Sequence, residues 1–175
     1  MTISVEEAIQ KLEGRGMLIR RARNQSEKII ELASELIGHR PPTDLVDFYR
    51  ANVAEVGEYF ATTPVWNQRV GWIKRDWVMD RLLPLQAIPI FDDGCGSLFG
   101  VDISTDNDHP AVYFFDHETR LEGVDYAAGS SIGAFLLLLA EQSATFGQHR
   151  PPGWQLKIDP DIDKCARAPP IWLAG

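Results

Sequence analysis

The stretch AIPIFDDGCGSLFGVDI, residues 87–103, is followed by a short polar loop and then by AVYFF, residues 111–115. Its apolar runs, 87–91, 97–103 and 111–115, are rich in β-branched and aromatic residues and are separated by segments of turn-forming residues. Short polar loops between successive strands produce antiparallel hairpins. Residues 121–126 are a weaker candidate for a further strand. The stretch therefore predicts a small antiparallel sheet.

Helical patterns surround this sheet in the sequence. Ser4 to Glu7 has the spacing of a capping box and predicts a short helix that ends at Gly14 and Gly16. Asn24 to Glu27 repeats the start signal, and the apolar residues that follow as far as Ile37 fall on one helical face.

Two further helices are predicted. One begins with Thr43 as its cap, after the helix-breaking Pro41 and Pro42. The other runs from Ser131 to Gln142 and is apolar almost all round, which is typical of a helix buried against a sheet. The expected class is α+β, with a small antiparallel sheet packed on one face by helices.

A length of 175 residues favours a single domain that buries roughly 70% of its unfolded surface. We divide it into an N-terminal helix and basic linker (1–23), an α+β domain (24–142) and a C-terminal extension packed on that domain (143–175). Within the α+β domain, residues 57–81 form a Trp-rich insertion whose hydrophobic period is ambiguous.

The composition is that of a globular protein, with 45% hydrophobic and 24% charged residues. The net charge of −8 argues against nucleic acid or an anionic membrane surface as a partner. The longest apolar run, residues 134–140, is too short to cross a bilayer, and the N-terminus lacks a signal-peptide pattern. Cys95 and Cys165 stand far apart and are expected to be reduced thiols. These features predict a cytoplasmic protein.

The charge is concentrated in one window, from Leu85 to Ser130. This window holds nine acidic residues and one base, Arg120, so its net charge is 1 − 9 = −8 and the rest of the chain is neutral. The nine acidic residues are Asp92, Asp93, Asp102, Asp106, Asp108, Asp116, Glu118, Glu122 and Asp125.

Several catalytic patterns match by letter. Residues 129–133 fit GxSxG around Ser131, but only His149 follows, 18 residues later, so a helix-capping serine is favoured over a nucleophile. Residues 94–96 lack the remaining elements of a phosphate loop and are better explained as a tight turn.

Metal-binding patterns are also weak. A calcium loop that begins at Asp106 lacks the required glycine and glutamate, since Ala111 and His117 occupy those positions. His109, Asp116 and His117 have no recognised ligand spacing. We therefore expect no metal, no cofactor and no catalytic residue.

Four segments resemble the SUKH superfamily (Smi/Knr-type domains). RPPTDLVDFY (40–49) is similar to its PPxYxxFL helix start, and residues 88–103 resemble its glycine turn and following strand. Residues 111–118 resemble the next strand, which closes with a D-H-E-like triplet, and residues 126–136 the entry to its last helix. Residues 57–81 do not align. The resemblance implies a non-enzymatic α+β domain, often an immunity protein that neutralises a toxin such as a nuclease, and in other members a regulator of cell-wall synthesis.

The acidic window is consistent with such a role, because carboxylates can occupy the cationic cleft of a nuclease. We expect Asp102, Asp106, Asp108, Asp116 and Glu118 to gather at one end of the sheet. Three alternatives remain: a regulatory module without a toxin, a small serine hydrolase that uses Ser131, and contact through the Trp-rich insertion. The candidate partner-binding residues are Asp92, Asp93, Asp106, Asp108, Asp116, Glu118 and Glu122.

Overall fold

The computed structural model describes residues 2–20, 26–57, 63–64, 80–145 and 148–170. Most of the predicted Trp-rich insertion (57–81), and the start signal at Asn24, lie outside the described residues. The elements in chain order are α1 (Val5–Gly14), β1 (Leu18–Arg20), α2 (Ser26–Ile37), α3 (Thr43–Ala51), β2 (Val53–Val56), β3 (Thr63–Pro64), β4 (Ala87–Asp92), β5 (Leu98–Asp102), β6 (Val112–Phe115), β7 (Tyr126–Gly129), α4 (Ile132–Ala144) and two 3-10 turns (Trp154–Lys157 and Ile162–Lys164).

The main sheet is an antiparallel meander in the order β3-β4-β5-β6-β7, in which every strand pairs with its neighbours in the sequence. The register aligns Leu98 with Phe115 and Val101 with Val112. The predicted α+β class, with an antiparallel sheet and a helical layer, is confirmed.

Helices α1, α3 and α4 pack together over one face of the sheet, where Leu12, Phe48 and Leu136 are fully or almost fully buried. Ser4 caps α1 as predicted, because its hydroxyl accepts a hydrogen bond from the N–H of Glu7 at 3.2 Å. The start of α1 lies directly against α4. A Cβ on Gly133 would stand 2.4 Å from the carbonyl oxygen of Ile3, so only glycine allows this approach.

The C-terminal segment covers the opposite face of the sheet. Ile162 and Ala168 share a core with Tyr113 and Phe115 on that face. The segment also reaches the outer edge of β7, where the N–H of Ala127 donates to the carbonyl of Pro169 at 3.0 Å. Strand β4 contributes to the cores on both faces of the sheet and is buried along its whole length.

Three local expectations need correction. Leu18–Arg20, assigned to a linker, pairs with β2 in a separate two-stranded sheet. The strand expected at 121–126 is a turn followed by β7 from Tyr126, because Arg120 and Leu121 have φ values of 59° and 57°. Thr43 is the first residue of α3 rather than its cap; that position belongs to Pro42.

Within the described part of the chain, no helix has both the length and the apolar character that a membrane crossing requires.

Candidate functional site

The meander divides the acidic window between the two ends of the sheet. The β4–β5 turn and the β6–β7 loop meet at one end, whereas the β5–β6 loop lies at the other. The expectation of one patch is therefore wrong: Asp102, Asp106 and Asp108 lie at the opposite end from Asp116 and Glu118. We call the end of the sheet formed by the β4–β5 turn (residues 92–97) and the β6–β7 loop (residues 116–125) the acidic end. Its carboxylates are Asp92, Asp93, Asp116, Glu118, Glu122 and Asp125.

Two of these carboxylates build the β4–β5 turn. Oδ1 of Asp93 accepts hydrogen bonds from the backbone N–H groups of Cys95, Gly96 and Ser97 at 2.8–2.9 Å. Asp92 is only 6% exposed and accepts from the N–H of Gly94 at 2.8 Å. The predicted tight turn at residues 94–96 is confirmed, and it is held together by these two side chains.

The β6–β7 loop uses two more carboxylates in the same way. Asp125 accepts from the N–H of Asp116 at 2.7 Å, and Asp116 accepts from the N–H of Glu118 at 2.9 Å. The hydroxyl of Ser97 lies 2.9 Å from Nδ1 of His117 and joins this loop to the neighbouring turn. Both segments of the acidic end therefore form one connected structure.

Glu118 and Glu122 differ from the other four. Both are exposed, and within the described part of the chain their carboxylates accept no hydrogen bond and form no ion pair. The acidic end contains a single arginine, Arg120, which is also exposed. Among the residues that the structure describes, these two glutamates therefore carry charges that no cation neutralises.

Tyr126 connects the acidic end to a cavity of about 170 Å³. Burial, and next the charges of Asp93, Asp125 and Asp116, raise the pKa of the Tyr126 hydroxyl. The cavity lies between the strands, the last turns of α4 and the first 3-10 turn. Aromatic rings form much of its wall, those of Phe99, Tyr126, Phe135 and Trp154.

The opposite end of the sheet joins its acidic loop to α3 and to the C-terminal segment. Asp108 accepts hydrogen bonds from the N–H and the hydroxyl of Thr43. Asp102 accepts from Ser104 and pairs with Arg167 at 3.3 Å. Asp106 is exposed, and its carboxylate has no partner among the described residues. Asp106 is therefore the acid of the β5–β6 loop whose charge is left without a partner by the described residues.

Ser131 caps α4, as the sequence predicts. It is fully buried, accepts from the N–H of Ala134 at 3.1 Å and donates to the carbonyl of Ile3 at 3.1 Å. A nucleophilic serine needs a base within hydrogen-bond reach, and the hydroxyl of Ser131 is instead bonded to two backbone groups.

The cysteines are free thiols; Cys95 is exposed, and burial raises the pKa of Cys165 to about 12. Across the residues the structure describes, no three or more His, Cys, Asp or Glu side chains form a group that could hold a metal ion.

The comparisons with known proteins give no match: no family model fits the chain, and no curated protein or solved structure is significantly similar to it.

Proposed function

We propose that this protein is a non-enzymatic binding protein that neutralises a bacterial toxin by placing its acidic end in the toxin's basic cleft. The observation that carries the proposal is the concentration of six carboxylates against one arginine at one end of the sheet. The resemblance of four segments to immunity-type SUKH domains supports the same function.

The physical basis is electrostatic complementarity. A nuclease binds phosphates through lysine and arginine, and an acidic surface competes for the same cations. Exposed charges at the rim of an interface chiefly accelerate encounter, whereas desolvated pairs slow dissociation. Glu118 and Glu122 are exposed and are therefore suited to accelerating the encounter with the toxin. Asp92 and Asp93 hold the adjoining β4–β5 turn, so their substitution would disturb folding as well as binding.

The test uses the double variant Glu118→Lys with Glu122→Lys, with the product of the neighbouring gene as the candidate toxin. We expect association to slow by about tenfold at low salt, with a weaker dependence on ionic strength, and protection of toxin-expressing cells to fall. Asp106→Lys, compared with the single variant Glu118→Lys, is the matched control, because each reverses one exposed carboxylate, at opposite ends of the sheet.

Two results would contradict the proposal. If the double variant associates and protects like wild type, the acidic end is not the contact surface. If the wild-type protein neither binds the neighbouring gene product nor protects cells from it, the toxin-neutralising function fails.

A further inference from the structure

The cavity beside the acidic end has the features of an anchoring pocket. It is lined on one side by Phe99 and Tyr126 of the sheet, on another by Phe135 of α4, and by Trp154 and Gln155 of the C-terminal segment. Phe99 and Tyr126 follow closely on the two segments of the acidic end, and both pair with Phe114 in the sheet. The cavity therefore lies in the half of the sheet that carries the acidic end.

We propose that this cavity receives an aromatic side chain with an N–H or O–H donor from a basic segment of the partner protein. The proposal rests on the proposed function, since it names the chemistry of the partner at the same end of the molecule. Tryptophan and tyrosine are the side chains that combine a six-membered aromatic ring with such a donor.

The size and the walls of the cavity favour a ring. Its volume of about 170 Å³ exceeds the roughly 150 Å³ of an engineered apolar cavity that holds benzene. The ring centres of Phe99 and Phe135 lie 4.9 Å apart in a tilted arrangement, and a further ring could add aromatic contacts of the same kind. Buried aromatic anchors of this type carry much of the affinity in protein interfaces.

A donor on the ring is favoured by Gln155. Its Oε1 atom is buried and accepts no hydrogen bond within the described part of the chain. A buried acceptor without a partner is unfavourable, and a rotation of the amide toward the cavity would let an indole N–H or a phenol O–H satisfy it.

The flanking charge of the occupant follows from its neighbours. The acidic end favours cations, whereas Arg150, the arginine in the described part of the cavity wall, already donates hydrogen bonds within the molecule. Its guanidinium donates to the carbonyls of Glu141 and Gln142 at the end of α4 and lies 3.8 Å from the centre of the Trp154 ring. Arg150 thus completes the helix end and does not call for an anionic ligand.

The experiment titrates the intact ¹⁵N-labelled protein with pentapeptides and follows amide shifts by NMR. The first peptide has a tryptophan between two pairs of lysines; the others replace the tryptophan by alanine or the lysines by glutamates. We expect the first to shift the amides of Ala128 and Gln155, and each replacement to weaken its affinity by about tenfold. Free indole should bind more weakly than the tryptophan–lysine peptide.

Three variants locate the effect. Gln142→Trp places a large side chain at an exposed position of the cavity wall and should weaken the tryptophan–lysine peptide by about tenfold, whereas Gln142→Ala should not. Gln155→Leu, which keeps the volume and removes the amide, should weaken it by about threefold or more. The same NMR spectra show whether each variant remains folded.

Equal affinity for the tryptophan and alanine peptides would overturn the anchoring pocket, and so would unchanged binding to Gln142→Trp. If free indole binds as tightly as the tryptophan–lysine peptide, the cavity is a small-molecule site and the partner segment is excluded. If the protein fails these peptide tests but protects cells from the toxin, the anchoring pocket is wrong and the proposed function stands. If it binds the peptide but does not protect cells, the toxin-neutralising function is wrong and the pocket stands.

Discussion

Two aspartates that lie close together at the start of α3, Asp44 in the helix and Asp108 in the β5–β6 loop, have opposite electrostatic environments. Asp44 is 1% exposed, and burial raises its pKa above the usual 3.8, although Nδ1 of His109 lies 2.9 Å from its Oδ1. The negative charges of Asp47 and Asp108 also raise the pKa of Asp44. The pKa of Asp108 is instead lowered, mainly by the hydroxyl and then by the N–H of Thr43.

This contrast predicts opposite effects of pH on stability. The folded state holds the Asp44 proton more tightly than the unfolded state, so its contribution to stability falls as pH rises from about 3.8. The contribution of Asp108 is present above that pH and is lost as pH falls. We therefore expect urea unfolding between about pH 3 and pH 6 to give opposite trends. With rising pH, the free energy of unfolding of Asp44→Asn should increase relative to wild type, and that of Asp108→Asn should decrease.

Each variant serves as the control for the other, because both remove one negative charge from the same junction. Slopes of equal sign for the two variants would show that overall charge, rather than the local environments of Asp44 and Asp108, governs the dependence on pH.

At the scale of single elements, α4 depends on its first turn. Ser131 satisfies the N–H of Ala134 and the carbonyl of Ile3, and so fixes both the start of α4 and the position of the chain before α1. We expect Ser131→Ala to lower the free energy of unfolding by about 1–2 kcal/mol. Ser104→Ala, at an exposed serine whose hydroxyl has no partner among the described residues, should stay within about 0.5 kcal/mol. Equal effects of the two changes would contradict this role of Ser131.

The elements that the sequence predicted well are those specified by local chemistry. The cap at Ser4, the turn at Asp93 and the apolar helix α4 each depend on residues within four positions of one another. Strand β1 was missed because it pairs with β2, more than 30 residues away, and carries a register shift between Ile19 and Arg20.

The candidate site was harder to predict than the elements. Sequence alone showed how many carboxylates there are, but the end of the sheet on which each lies follows from the strand order. Their availability depends on contacts that composition does not reveal: Asp93 accepts hydrogen bonds from three backbone N–H groups, whereas Glu118 accepts none from the residues that the structure describes. The cavity was also missed, because its walls come from β5, β7, α4 and the C-terminal segment together.

At the scale of the whole molecule, Arg167 holds the C-terminal segment against the sheet. Its Nη1 lies 3.3 Å from Oδ1 of Asp102, and its Nη2 donates to the carbonyl of Leu85 at 2.5 Å. Its backbone N–H donates to the hydroxyl of Tyr113 at 3.3 Å. The segment in turn covers the outer edge of β7 at Ala127. The side chain of Arg167 therefore links the C-terminal segment to β5 and to the chain that enters β4, and its backbone N–H links the segment to β6.

Arg167→Met should accordingly loosen the segment as well as destabilise the fold. Asp102, 7% exposed, would retain only the N–H of Ser104 as a donor, and the free energy of unfolding should fall by about 2 kcal/mol. Hydrogen exchange should accelerate first at Ala127, whose N–H bonds to Pro169, and at residues 159–168. Lys164→Met is the control, because its ion pair with Asp161 is exposed and screened by solvent, so that its loss should leave the stability almost unchanged. If both variants lose equal stability, or if exchange at Ala127 is unchanged in Arg167→Met, the segment is held by its apolar contacts and not by Arg167.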